Sequence, residues 1–114
     1  MMPRQGEILL LPVPFTDLQA VKRRPVLVLS NDRYNTSKND ILVAAITSNV
    51  TDDDIGILIQ PSDLQEGELR RTSLIRFDKL YCLNQKNIVK RFGRLKKEKH
   101  HDVIGKIRSF IELD

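Results

Sequence analysis

Short apolar runs, each closed by proline or a cluster of polar turn residues, fill roughly the first ninety of the 114 residues. None is long enough for a helix, so the pattern commits most of the chain to short strands. Gly6 to Val13 reads as a first strand, stopped by Pro12 and Pro14, with Thr16-Asp17 opening a polar loop. Pro25 begins Val26-Leu27-Val28-Leu29, a run that is apolar on both faces and β-branched at alternate positions, typical of a central strand. Proline is tolerated at the first position of a strand, and it pushes Arg24 into an extended conformation. Asn31 to Ser37 is polar and predicts a helical turn. Ile41 to Thr47 is a second two-sided strand and Ile55 to Ile59 a third, ended by Pro61-Ser62-Asp63. Ser73 to Lys79 alternates like another strand, and Ile88-Val89 and Arg91 to Leu95 read as short closing strands.

Only the tail carries a helical period. Val103, Ile104, Ile107, Phe110 and Ile111 recur at spacings of three and four, giving one apolar stripe from about Lys97 to Leu113. Many short strands and one packed C-terminal helix predict a mainly β fold, a small twisted barrel of SH3-like size, with residues 1–114 as one domain. A hydrophobic fraction of 40% beside 30% charged residues marks a chain that folds. The longest apolar stretch, Ile8 to Phe15, is broken by two prolines and is too short to span a bilayer. The N-terminus carries no export signal, and the lone Cys82 forms no intramolecular disulfide. These features predict a cytoplasmic protein held by packing alone, with no membrane segment, metal or cofactor.

The formal charge of +4 is unevenly spread. Asn49 to Leu69 holds six acidic residues and no basic ones, whereas Lys79 to Lys106 holds nine basic residues against two acidic. Lys22-Arg23-Arg24 forms a second basic cluster, and Arg70-Arg71 with Arg76 a third. Were the fold to bring the three together, the result would be a surface suited to a phosphate backbone. Taken singly, each run is a solvated face.

Strand parity sorts the side chains that can do chemistry. Arg24 shares a face with Val26 and Val28 where its strand enters the sheet, and Thr47 shares one with Ile41, Val43 and Ala45 where its strand leaves. Arg76 and Asp78 project from the same face as Leu74. Asp52-Asp53-Asp54 diverge along the chain and read as a solvated turn rather than a metal site. His100 and His101 point about 100° apart on a helix and cannot flank one phosphate, so both read as surface residues. Cys82 reads as a small buried hydrophobe. RNA brings its own nucleophile, the 2′-hydroxyl, so an enzyme acting on it needs positioning, charge stabilisation and proton transfer. Arginines, a threonine hydroxyl and an arginine-held aspartate supply these. The plainer reading, which spacing alone favours, is that Arg76 and Asp78 form a salt bridge and Thr47 caps a strand.

Five short motifs in order resemble the MazF/PemK-type toxins of bacterial toxin–antitoxin pairs. They are Gly6-Glu7-Ile8, then Pro14-Phe15-Thr16-Asp17-Leu18 with Arg23-Arg24-Pro25-Val26-Leu27-Val28-Leu29-Ser30, then Ala44-Ala45-Ile46-Thr47-Ser48, Ser73-Leu74-Ile75-Arg76-Phe77-Asp78-Lys79-Leu80, and Phe92-Gly93-Arg94-Leu95. The resemblance implies an SH3-like barrel of the PemK/CcdB-like plasmid-toxin type that forms a homodimer. It further implies metal-independent, sequence-selective cleavage of single-stranded RNA and inhibition by a cognate antitoxin. On this resemblance Arg24 and Thr47 are the catalytic residues, Ser48, Arg76 and Asp78 are further catalytic or RNA-binding candidates, and Lys22, Arg23 and Lys79 bind RNA. The loop from Asp17 to Arg23 departs from the family pattern, with neither a histidine nor a Glu-Gln pair. Two other functions are open to such a chain. A gyrase poison on the same fold uses a C-terminal tryptophan, and this chain has none. A non-catalytic RNA-binding barrel would need exposed aromatic residues, which make up only 5% here.

Overall fold

The apolar runs pair as antiparallel strands in the computed structural model, which describes residues 2–14, 21–51 and 53–114. In chain order the elements are β1 (Glu7–Pro14), β2 (Val21–Val28), α1 (Asp32–Ser37), β3 (Asp40–Thr47), β4 (Gly56–Ile59), β5 (Leu64–Gly67), β6 (Ser73–Asn84), β7 (Lys90–Leu95) and α2 (Lys97–Ile111). They form one seven-stranded sheet in the order β4-β6-β3-β2-β1-β7-β5. The polar loop expected at Thr16-Asp17 and the first aspartate of the Asp52–Asp54 run lie outside the described residues.

Both faces of this sheet are buried, for different reasons. One face carries Ile8, Leu27, Ala44, Ile46, Ile59, Ile75 and Leu95, which pack with Val103 and Ile107 of α2. On the other, Leu9, Leu11, Val13, Val26, Val28, Ile41 and Val43 cluster together with Tyr81, Leu83 and Ile88. No residue of either helix belongs to this second cluster, yet its seven core side chains are at most 4% exposed. A sheet face without a helix over it is buried this fully only when the sheet coils over itself, as expected of a small barrel. The near-equal extents of 34 × 32 × 32 Å agree. Among the described residues the hydrogen-bonded ladder stays open, with β4 and β5 as its edges.

The strands differ from the sequence reading in four places. β2 starts at Val21, four residues before Pro25, and pairs with β1 from Val21 to Leu27, while its pairing with β3 begins only at Val26. Pro25 therefore marks the point where β2 gains a second neighbour, which is where a strand tolerates a missing donor. β5 has almost no apolar pattern, and its sequence carries no strand signal. It forms because Gly67 and Gly93 let β5 and β7 approach closely: a Cβ on Gly93 would lie 2.3 Å from the Glu66 carbonyl oxygen. β6 runs on to Asn84, and Ile88-Val89 adds no strand.

The fourth difference lies inside β6. Leu80 pairs with Ala44 and Ile75 with Ile46, so residues 76–79 bulge opposite Ala45 alone. α2 ends at Ile111. Phe110 meets Phe77 with ring centroids 5.1 Å apart, but Phe110 and Ile111 are both exposed, so the apolar stripe outruns the sheet it packs on. No helix among the described residues is long and apolar enough to cross a membrane.

Candidate functional site

Arg24 sits on the exposed N-terminal half of β2, opposite Leu11 of β1 and next to Pro25. Thr47 is the last residue of β3, and its Oγ1 accepts a hydrogen bond from the Asn49 N–H at 3.1 Å. That contact ends the strand and also fixes the hydroxyl. A hydroxyl that accepts through its oxygen keeps its proton for donation.

Arg24, Thr47 and Ser48 meet on one cavity of about 590 Å³. Buried Ile8 and Ile46 reach its base, and Glu68, Leu69, Arg70 and Arg71 form a second wall. Lys90, Arg91 and Phe92 of β7 form a third, with the Lys90 ammonium 5.2 Å from the centre of the Phe92 ring. Sheet order explains the convergence. β2 and β3 are neighbours, whereas β7 reaches the cavity through β1, and residues 68–72 hang between β5 and β6. Segments from all three basic clusters thus contribute cations to one cavity.

Of these cations Arg91 is held by two carboxylates. Its guanidinium bonds the carboxylate of Glu7 and, through Nη2, that of Glu66 at 2.9 Å. Glu7 is 3% exposed and also accepts the Arg4 N–H at 2.6 Å. The hydrogen bond that Arg91 donates to Glu7 outweighs desolvation and raises the Arg91 pKa above its ordinary value. No sequence pattern pointed to this clamp, because Glu7 and Arg91 lie 84 positions apart.

The remaining candidates lie elsewhere. Arg76 and Asp78 form a two-pronged ion pair, with Nε–Oδ1 and Nη2–Oδ2 both at 2.7 Å. They sit in the β6 bulge with Lys79 and do not line the cavity. The Arg76 hydrogen bonds hold the Asp78 carboxyl below the usual carboxylate range, against the opposing effect of desolvation. Lys22 and Arg23 are exposed on β2 beyond the cavity lining.

Two sequence expectations are corrected. Cys82 is exposed rather than buried, with its Sγ 3.8 Å from an Asp40 carboxylate oxygen. His100 is not a plain surface residue, since both ring nitrogens are shut off from solvent, although His101 is exposed. Burial, with His101 and Arg94 nearby, lowers the His100 pKa from its ordinary value. Among the described residues no three of His, Cys, Asp and Glu stand together as metal ligands.

The site residues that sequence reasoning did not single out are Glu68, Arg70, Arg71, Lys90, Arg91 and Phe92. Arg70-Arg71 was visible as a basic pair and Phe92 as part of a motif, but nothing local placed them beside Arg24.

Comparison with known proteins agrees with this architecture. The chain is 31% identical over 105 residues to Endoribonuclease MazF6 of Mycobacterium tuberculosis, covering 88% of each. A crystal structure of MazE-MazF from Deinococcus radiodurans superposes with a TM-score of 0.75 at 19% identity, covering all of both chains. An endoribonuclease in complex with its cognate antitoxin, from a mycobacterial species, gives a TM-score of 0.70 at 16% identity, over 96% of this chain and 91% of that one. The profile of PemK-like, MazF-like toxins of type II toxin–antitoxin systems matches residues 4–111, and the chain belongs to that family.

Proposed function

We propose that the protein is the toxin of a type II toxin–antitoxin pair and acts as a sequence-selective endoribonuclease on single-stranded RNA, without metal. The observation that carries this reading is the single cavity holding Arg24, Thr47 and Ser48 beneath a cationic rim. Family membership and the endoribonuclease names of its relatives support it. In this reading the 2′-hydroxyl attacks the adjacent phosphorus and the bond to the 5′ oxygen breaks. The departing 5′ oxygen takes a proton from solvent water, so the products are a 2′,3′-cyclic phosphate and a 5′-hydroxyl. Arg24 stabilises the charge that builds on the phosphorane, and the Thr47 proton is donated to a non-bridging oxygen. Glu68 is the carboxylate among the described lining residues, and it takes the 2′ proton in place of Asp78, which Arg76 holds outside the cavity.

Lys22 and Arg23 extend the RNA path from Arg24 along β2. The working form is a cytoplasmic homodimer of one-domain chains, silenced by a cognate antitoxin.

The test is to map cut ends on a long RNA. A single 2′-deoxy substitution at the cleaved position is expected to abolish cutting, and EDTA to leave it unchanged. Loss of cutting in EDTA, or cutting past the deoxy position, refutes the mechanism. RNA that is bound but stays intact favours a non-catalytic barrel instead.

A further inference from the structure

Residues 68–72 join β5 to β6, and both ends of this connection are pinned. At the first end Gly67, with φ 87°, lies against β7 so closely that a Cβ there would stand 2.1 Å from the Phe92 carbonyl oxygen. The next N–H, of Glu68, donates to that same oxygen at 3.1 Å. At the second end buried Ser73 opens β6, and its Oγ donates to the Arg71 carbonyl at 3.2 Å. Between them Leu69 packs partly buried against the helix-side core. Arg70 and Arg71 are thus exposed on a short connection with little slack, on the cavity wall that faces Arg24 and Thr47.

Their charge state differs from that of Arg91. Two carboxylates already hold Arg91, so its charge is largely matched within the protein. Among the described residues no carboxylate pairs with Arg70 or Arg71, which leaves both guanidiniums to bind an anion from solution. Guanidinium forks are suited to phosphate oxygens in two-pronged contacts. We infer that residues 68–72 form a clamp for the RNA backbone, in which Arg70 and Arg71 take the phosphates that flank the scissile one. This rests on the ribonuclease reading above. Such contacts read no base, so they supply affinity for any sequence and leave the choice of cut site to other residues.

The experiment measures binding separately from cleavage. A fully 2′-O-methylated single strand of mixed sequence has no free 2′-hydroxyl and serves as an uncleavable probe. Its Kd is measured against salt from 50 to 200 mM for the wild type, R70A/R71A and R70K/R71K. Loss of two phosphate contacts should flatten the slope of log K against log salt by about 1.4. The lysine pair should keep most of the wild-type slope. On cleavable RNA, R70A/R71A should raise KM and leave kcat within about twofold, with an unchanged melting temperature.

An unchanged salt slope in R70A/R71A, with the wild type binding and cutting normally, overturns the clamp alone. So does a fall in kcat at constant KM. A wild type that neither binds the probe nor cuts RNA refutes the ribonuclease reading and takes the clamp with it.

Discussion

Replacing Arg91 with alanine should destabilise this protein by several kcal/mol. The Glu7 side chain is 4% exposed, that of Arg91 32% and that of Glu66 45%. Removing the guanidinium leaves the Glu7 carboxylate buried, with the Arg4 N–H still donating to it. Breaking a buried pair from one side costs about 3–5 kcal/mol, because the survivor keeps its charge without compensation. Arg91 is partly open to water, so the low end applies, about 3 kcal/mol. The Glu66 arm is exposed and adds less than about 1 kcal/mol. With an unfolding entropy of about 2.1 cal/mol/K per residue, a chain of 114 residues has about 240 cal/mol/K in all. The loss then lowers the melting temperature by about 12 °C.

Thermal unfolding followed by circular dichroism at pH 7 measures this directly. R91M, which keeps the apolar stem, should lose nearly as much as R91A. E7Q/R91A should recover more than about 1 kcal/mol relative to R91A, because a neutral amide replaces the stranded carboxylate. An R91A melting point within about 3 °C of wild type would refute the reasoning. A double variant no more stable than R91A would refute it equally.

Other perturbations separate site from scaffold. Arg24 is exposed, so R24A should lower kcat by about 10²–10³ while the melting temperature holds. E68Q should lower kcat as well, and an unchanged rate in either variant removes that residue from the mechanism. G93A would press a Cβ onto the Glu66 carbonyl oxygen at 2.3 Å, and denaturant unfolding should show a loss of about 2 kcal/mol or more. A neutral result there would mean that β5 and β7 can separate without cost. His100 has its pKa lowered, so the folded state binds fewer protons than the unfolded one as pH falls through about 6.5. Stability should therefore be level above pH 7 and decline as pH falls below about 6.5. H100F should lose that part of the slope, and an identical pH profile in H100F would refute it.

What the chain determined by itself was everything set by neighbours in sequence. The two-sided runs around Val26–Val28 and Ile41–Ile46 are interior strands because alternation and β-branching act over a few residues. The stripe through Val103 and Ile107 is a helix for the same local reason. Arg24 beside Pro25, and Thr47 at a strand end, could be singled out because each marks the edge of such a run.

The tertiary structure decided what depends on contacts between distant residues. β5 carries almost no apolar signal and exists because Gly67 and Gly93 admit a close backbone approach. The bulge at residues 76–79 answers to the register of β3, and it sets Arg76 and Asp78 apart from Arg24 and Thr47. Whether three basic clusters share one surface was likewise settled by strand order. The order β4-β6-β3-β2-β1-β7-β5 brings Arg24, Arg70, Arg71, Lys90 and Arg91 around one cavity and leaves Lys79 outside it. Charge along a chain is a local quantity, but the field at a site is a sum over space, and only the fold fixes those distances.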